Sequence, residues 1–132
     1  MKKISYVIIG VIFLLLVLLA VRFIFGGPED TWIKDENGLY VEHGSPAKIT
    51  EEAVEQQELI LGAMKLYYEK AEEGMNFSSQ CLGTVENYAI DIVHVPRIQE
   101  DDLEENQCEE YKNGNVKHFI ELDLEGNVIK IN

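Results

Sequence analysis

Residues 4–25 form an apolar run that only Ser5, Tyr6, Gly10 and Arg22 interrupt. At a rise of about 1.5 Å per residue, a helix over this run is roughly 33 Å long, which is enough to cross a hydrocarbon core of about 30 Å. A helix also satisfies its own backbone hydrogen bonds, as lipid requires. The rest of this 132-residue chain is too small to enclose such a run. We therefore predict a transmembrane helix over residues 4–25.

The charges that flank the run predict its direction. Lys2 and Lys3 precede it, whereas Glu29 and Asp30 follow it. The positive-inside rule then keeps residues 1–3 as a cytoplasmic tail and places the C-terminal part outside the cytoplasm. Arg22 opposes this assignment, although its long side chain can reach the headgroups. The expected location is the cell membrane, with a single pass.

A cleaved signal peptide is the alternative interpretation of the same run. Its apolar region would be 7–15 residues long and would end at small residues. Here the run is longer, and Val21 to Phe25 are bulky where small residues are needed. The sequence therefore favours an uncleaved signal anchor.

The net charge of the extracytoplasmic part limits the classes of partner that it can bind. The anchor carries Lys2, Lys3 and Arg22 of the 11 basic residues and none of the 24 acidic ones. The remainder is strongly acidic, and it should repel nucleic acid and anionic headgroups. The predicted partners are the lipid bilayer, through residues 4–25, and an unknown protein of basic character. A solvated surface suited to a saline exterior explains the same composition. We predict no cofactor.

Cys81 and Cys108 are the two cysteines of the chain. On an oxidising side of the membrane a disulfide between them is the default. It would close a loop of about 28 residues and contribute roughly 3.6 kcal/mol by the chain-entropy relation. Two free buried thiols are the alternative.

Residues 26–49 are predicted to be a linker followed by a β-hairpin. Asn37-Gly38 lies between two short apolar runs, and both residues accept positive φ. We expect Trp32 and Tyr40 to meet across the two strands.

Residues 50–132 are predicted to be an α+β domain, in which one amphipathic helix packs on a small antiparallel β-meander. Thr50 can cap a helix over residues 50–73, and Gly74 can end it. The apolar stripe of this helix consists of Ala53, Ile60, Met64, Tyr67 and Ala71, and Gln57 interrupts it. Period-two patterns predict strands at 88–95, 115–123 and 128–131, with a long acidic loop over 96–114.

The sequence patterns that indicate functional sites are weak. Asp101 and Asp102 belong to an acidic loop that could offer oxygen ligands to Ca²⁺, but the spacing of an EF-hand is absent. His94 and His118 could bind zinc with the cysteines, but the short ligand spacing of a zinc module is missing. A catalytic Cys-His pair would need a free thiol. We therefore predict no metal and no catalytic residue. Asn76 begins an Asn-x-Ser pattern and is a candidate glycosylation site.

The segment from Trp32 to Pro46, with its Val41-x-His43-Gly44-x-Pro46 end, resembles one found in short uncharacterised membrane-anchored envelope proteins of archaea and uncultured bacteria. Residues 76–83 are also similar to a segment of such proteins. The resemblance implies no activity. A helix before a meander is similar to cystatin-like inhibitors, but Gln80 to Thr84 do not match their Gln-x-Val-x-Gly loop. An apolar helix before an α+β head is similar to pilins, whose cleavage site and early Glu are missing here.

The functional hypothesis is a non-enzymatic, membrane-anchored extracytoplasmic domain with a binding or structural role at the cell envelope. The alternative is a membrane-tethered enzyme or metal-dependent module that uses His94, His118 and acidic loop residues. The two hypotheses differ in whether the histidines and a carboxylate converge in one pocket.

Overall fold

The computed structural model describes residues 2–25 and 29–132, so the predicted linker residues 26–28 lie outside the described residues. The α+β class is confirmed, with an apolar helix, a two-stranded hairpin, an amphipathic helix and a four-stranded sheet. Two short 3₁₀ turns lie at Gln99–Asp102 and Glu104–Asn106. The elements in chain order are α1 (Lys2–Phe25), β1 (Thr31–Lys34), β2 (Tyr40–His43), α2 (Glu51–Glu72), β3 (Gln80–Val85), β4 (Tyr88–Ile92), α3 (Glu109–Lys112), β5 (His118–Leu122) and β6 (Val128–Ile131).

Helix α1 contains one stretch, the 19 residues of Tyr6–Ile24, that is long and apolar enough to cross a membrane. None of this stretch is buried inside the protein. Arg22, near the end of α1, forms an ion pair with Asp30, and its Nη2 donates to Asp30 Oδ1 at 3.1 Å. The basic residue within the apolar run therefore has a carboxylate partner in the chain that follows.

The strand order in the sheet is β3-β4-β5-β6, and its central pair differs from the predicted meander. β3–β4 and β5–β6 are antiparallel, but β4 and β5 run parallel. Residues 93–117 form the crossover between these two parallel strands. The antiparallel prediction was wrong at this pair because side-chain alternation is the same in both directions. β3 was not predicted, since Gly83 and a bulge between Cys81 and Gly83 break its pattern.

The two faces of the sheet bury different sets of residues. The α2 face forms the main core, which contains Ile90 and Ile92 of β4 and Ile120 and Leu122 of β5. The opposite face is covered by the crossover and forms a smaller cluster with buried residues Ala89, Cys108 and Val116, against which Cys81, Tyr111 and Phe119 pack.

Helix α2 begins and ends as predicted, but its buried stripe is rotated from the predicted one. Thr50 Oγ1 accepts from Ala53 N at 3.3 Å, and Gly74 N donates to Ala71 O at 3.0 Å. The buried residues of α2 are Ala53, Gln56, Ala63 and Tyr67. Gln56, not Gln57, is the polar residue of the stripe, whereas Gln57 and Ala71 are exposed.

The β1–β2 and β5–β6 hairpins use the same turn, which reads Asp-x-x-Gly-x. Asp35 N donates to Leu39 O at 2.8 Å, and Asp123 N donates to Asn127 O at 2.9 Å. Each Asp Oδ1 accepts the backbone N–H groups of the second and fourth residues after it. In both turns the Gly alone has positive φ, as in a three-residue loop that ends with a G1 bulge. The expectation that Asn37 also takes positive φ was wrong.

The first hairpin is held to the domain by buried polar contacts. Gln56, which is 7% exposed, donates from Nε2 to Gly38 O at 2.8 Å and accepts from Tyr40 N at Oε1 at 2.7 Å. Ile131 N donates to Asn37 O at 2.9 Å. A Cβ at residue 38 would lie 2.0 Å from Ile131 O, so this close approach requires glycine.

The strand register of that hairpin places Lys34, not Trp32, opposite Tyr40. Lys34 Nζ lies 5.2 Å from the centroid of the Tyr40 ring. The expected direct Trp32–Tyr40 pair was wrong, because Trp32 lies opposite Glu42, and the two aromatic residues are diagonal neighbours on one face of the hairpin.

Replacing Gln56 with Leu should destabilise the domain, because Tyr40 N–H and Gly38 C=O lose their partner. We expect a loss of about 2–4 kcal/mol in the free energy of unfolding, since each unsatisfied buried group costs roughly 1–3 kcal/mol. Gln57→Leu, its exposed neighbour, should change this free energy by less than about 0.5 kcal/mol. Denaturation of the detergent-solubilised protein, followed by near-ultraviolet circular dichroism, measures both. Equal effects of the two substitutions would contradict the role of Gln56.

Candidate functional site

A row of paired residues runs across the strands on the face of the sheet that the crossover covers. The strand pairing aligns Cys81 with Asp91, Asp91 with Glu121, and Glu121 with Lys130. Because alternate residues of a strand face opposite sides, these side chains share the face opposite the isoleucine core. Two carboxylates therefore lie side by side on a face that is partly covered by protein.

The crossover is tied to this face by the predicted cysteine pair. Cys81 of β3 and Cys108, just before α3, are joined with an S–S distance of 2.00 Å. Cys108 is fully buried. Between the sheet and the crossover lies a cleft of about 170 Å³, whose lining includes Asp91, Glu121 and Arg97. The aromatic rings of Tyr111 and Phe119 also line it and meet edge to face, 5.5 Å apart.

Asp91 is the carboxyl group of the cleft whose pKa is raised. Its Oδ1 is buried and has no hydrogen-bond partner among the described residues. Burial raises the pKa of Asp91 to about 6, the backbone N–H of Cys108 lowers it, and the nearby charge of Glu121 raises it further. The carboxyl group therefore changes charge close to neutral pH.

Arg97 is engaged by other carboxylates of the same region. Its Nη1 donates to Glu121 Oε1 at 2.6 Å, and its Nη2 donates to Asp102 Oδ1 at 2.8 Å. Nη2 also lies 3.4 Å from the backbone carbonyl oxygen of Asp101. The guanidinium closes one side of the cleft but forms no hydrogen bond to Asp91 Oδ1.

Asp101 centres a second polar cluster at the edge of the cleft. It is 5% exposed, and its Oδ1 accepts from Ser79 Oγ at 2.6 Å and from His94 N at 3.1 Å. Its Oδ2 accepts from Ile98 N at 2.8 Å. Burial alone would raise the pKa of Asp101, but the hydrogen bonds from Ser79, His94 and Ile98 outweigh it and hold the pKa well below its usual range. This carboxylate stays ionised and fixes the start of the crossover.

The same cluster contains Ser, His and Asp but lacks the order of a catalytic triad. A triad places the serine on one imidazole nitrogen and the aspartate on the other. Here Ser79 Oγ donates to Asp101, and His94 Nδ1 lies 3.3 Å from Ser79 Oγ and 3.0 Å from Asp101 Oδ1. Both partners share Nδ1, so the imidazole is not arranged to activate the serine.

The two candidate histidines lie at opposite ends of the parallel pair. His118 is paired with Tyr88, at the start of β4, and its ring stacks on that of Tyr88 at 5.0 Å. His94 lies two residues beyond the end of β4 at Ile92. At about 3.3 Å per residue the two histidines are roughly 20 Å apart. They do not converge, and Asp102 is turned toward Arg97.

Metal-ligating atoms come together at one place in the described part of the chain. The group is Cys81, Asp91 and Cys108, whose ligand atoms lie within 4.8 Å of one another. Both sulfurs belong to the disulfide, so only the carboxylate remains to coordinate. Asn76 lies exposed in the loop after α2, and its glycosylation stays a prediction.

No family model, curated protein or solved structure matches this chain.

Sequence reasoning missed Asp91, Arg97 and Glu121. A signal was present, because Asp91 and Glu121 each interrupt an apolar strand, as in Ile90-Asp91-Ile92 and Ile120-Glu121-Leu122. A carboxylate between two core residues of a central strand must face the second side of the sheet. Only the crossover, which the pattern did not predict, makes that side a cleft.

A second concave surface lies on the outer side of α2, and its lining is largely apolar. Leu61 and Tyr68, which are 64% and 57% exposed, lie beside Met64. Its charged residues include Lys65 and Glu69, which pair with each other at 3.7 Å.

Replacing Asp91 with Asn should stabilise the protein above pH 6. The folded-state pKa of Asp91 is raised from 3.8 to about 6, so its ionisation penalty appears as the pH rises from about 4 and is complete above about 6. One pKa unit is about 1.4 kcal/mol, so the variant should gain up to about 3 kcal/mol at pH 7.5 and nothing at pH 3.5.

The free energy of unfolding is measured by denaturation at both pH values. Glu58→Gln, on the exposed side of α2, is the control, because it also removes one negative charge but from a position in solvent. A variant that is less stable than the wild type at pH 7.5 would show that the ionised carboxylate is not penalised.

Proposed function

We propose that this protein is a single-pass membrane-anchored domain that binds a basic protein partner outside the cytoplasm. The main observation in support is the apolar helix α1, none of whose Tyr6–Ile24 stretch is buried by the rest of the protein. Burial of that stretch in a bilayer removes its apolar surface from water. The remaining chain has its own core and supports an independent role for the domain.

The direction of the anchor rests on two arguments. Lys2 and Lys3 favour a cytoplasmic N-terminus, by the positive-inside rule. The Cys81–Cys108 bond is the second argument, because disulfides persist in oxidising compartments. Together they favour an extracytoplasmic domain at the cell envelope.

Binding is favoured over catalysis by the chemistry of the cleft. Its carboxylates outnumber its one guanidinium, and the nearby Ser-His-Asp cluster lacks the order that activates a nucleophile. The acidic composition of the domain raises the local concentration of a basic partner. The aromatic residues of the cleft add contact surface of the kind enriched in interfaces.

Protease treatment of whole cells and of inverted membrane vesicles tests the topology. We expect residues 29–132 to be accessible on whole cells and protected in inverted vesicles, with the disulfide blocking alkylation until it is reduced. The intact mass of the isolated protein checks the anchor, because a cleaved signal peptide would remove residues near 1–25. Protection of the domain on whole cells would contradict the proposed orientation.

Zero-length cross-linking between carboxylates and amines in the native membrane tests the binding role. We expect cross-links from acidic residues of the domain to lysines of one dominant protein. Their yield should fall as the salt concentration rises toward about 1 M, where charges are screened beyond about 3 Å. A yield that does not depend on salt, or a domain that gives only self-links, would contradict a basic partner.

A further inference from the structure

We propose that the outer face of α2 pairs with the same face of a second copy of this chain, with the two helices antiparallel across a twofold axis. The face consists of Val54, Leu61, Met64 and Tyr68, and it is called the outer α2 face below. The pairing goes beyond the proposed function but rests on its membrane anchor, which confines two copies to one plane.

The first argument is the regular spacing of exposed apolar side chains. Val54, Leu61 and Tyr68 are exposed and follow one another at intervals of seven residues along α2. Seven residues are close to two turns of a helix, so the three side chains form one row. Single exposed apolar residues are normal, but a continuous row with the spacing of a helix-pairing seam is typical of an interface.

The second argument is that the domain does not cover this row itself. Leu61 and Tyr68 remain more than half exposed. Together with Met64 they form a concave surface that only residues of α2 line, within the described part of the chain. The buried side of α2 is a different one and consists of Ala53, Gln56, Ala63 and Tyr67. Contact with another molecule would remove the outer α2 face from water, which is favourable.

The third argument is that the charges beside the row are self-complementary. With the twofold axis between Leu61 and Met64, Leu61 of one copy meets the partner's Met64. The same arrangement places Lys65 beside the partner's Glu58, and symmetry repeats each contact, so two pairs of opposite charge flank the centre. The side chain of Lys65 is 78% exposed and lies 3.7 Å from Glu69 of its own helix. An ammonium group has three donors and can serve both carboxylates.

A parallel pair would lack these charge contacts. In a parallel pair, Ile60 would face the partner's Lys65, and Ile60 packs against the main core of its own copy. The antiparallel pair also places Glu51 on the same side as the partner's Glu72. Packed helices cross at an angle, so these like charges at the helix ends are farther apart than the central pairs. Charge therefore selects the antiparallel arrangement and a second copy as the occupant.

The size of the contact predicts where pairing occurs. It involves one side of a 22-residue helix, so it is smaller than the roughly 800 Å² per partner that stable soluble complexes bury. We therefore expect monomers at low concentration in detergent, where Glu58 stays in solvent. In a bilayer the anchors hold the domains at a high local concentration, and pairs should form there.

The first test uses the full chain in phosphatidylcholine vesicles, as an equal mixture of isotopically light and heavy copies. Zero-length carboxylate–amine cross-linking and mass spectrometry distinguish links between copies, which contain both isotopes, from links within one copy. We expect a mixed link between Glu58 and Lys65, which lie about 10 Å apart along one helix and are too distant to be joined within it. A Lys65–Glu69 link within one copy shows that the reagent has reached this surface.

The second test is energy transfer between copies labelled after Asn132, at increasing ratios of protein to lipid. Leu61→Glu should reduce the paired fraction about tenfold, because it places two charges at the centre of the contact. Lys65→Glu and Glu58→Lys should each weaken pairing about fivefold or more, because two attractive pairs become repulsive. The double variant should restore pairing. Glu110→Lys, an exposed charge reversal on α3, is the matched control and should have no effect.

Absence of the mixed Glu58–Lys65 link would overturn the proposal, as would energy transfer no greater than that of randomly distributed copies. So would unchanged transfer in a folded Leu61→Glu variant, or a double variant as weak as Lys65→Glu alone. Circular dichroism checks folding, and the charge-reversal series decides if Leu61→Glu does not fold. In native membranes, links from Lys65 to another protein in place of Glu58 would assign the outer α2 face to that protein and overturn the pairing.

Failure of the pairing is distinguishable from failure of the proposed function. None of these results changes the expected protease accessibility of the domain or its salt-dependent cross-links to the lysines of a basic partner.

Discussion

The covalent bond between Cys81 and Cys108 is the constraint on which the cleft depends. Parallel pairing of β4 and β5 requires a long connection, and that connection here contains only 3₁₀ turns and the four-residue helix α3. Its buried apolar residues include Cys108 and Val116, which belong to the smaller cluster. The bond attaches it to β3, and the Asp101 cluster fixes its beginning. With both points held, the crossover covers charged side chains beside the smaller apolar cluster of Ala89, Cys108 and Val116.

The site combines a carboxylate that stabilises the fold with one that destabilises the fold when it is ionised. Asp101 is surrounded by donors and stays ionised, whereas Asp91, one strand away from the disulfide, is buried without a donor for Oδ1. The first stabilises the fold, and the second opposes it near neutral pH. A residue that destabilises its own fold while lining a cleft fits the general observation that perturbed carboxyl groups gather at functional sites.

Local sequence patterns predicted the elements but not their assembly. The apolar run, the Thr50 cap, the Asn37-Gly38 pair and the two cysteines are local or compositional signals, and they located α1, α2, the first hairpin and the disulfide. The parallel β4–β5 pair could not be derived, because it depends on where the crossover returns. Gln56 was missed because its partners, Gly38 and Tyr40, lie in another element. The cleft was missed for the same reason, since its residues come from β3, β4, β5 and the crossover and meet only in the folded chain.

The docking of the first hairpin also determines how force enters the domain. The chain leaves α1 through Asp30, and the tip of the hairpin that follows is bonded to α2 by Gln56 and to β6 by Ile131. A pull on the anchor is therefore delivered to α2 and to the last strand, both of which belong to the main core. The cleft and its disulfide lie on the other face of the sheet. Tension between the anchor and a partner held in the cleft therefore passes from α2 and β6 through the sheet.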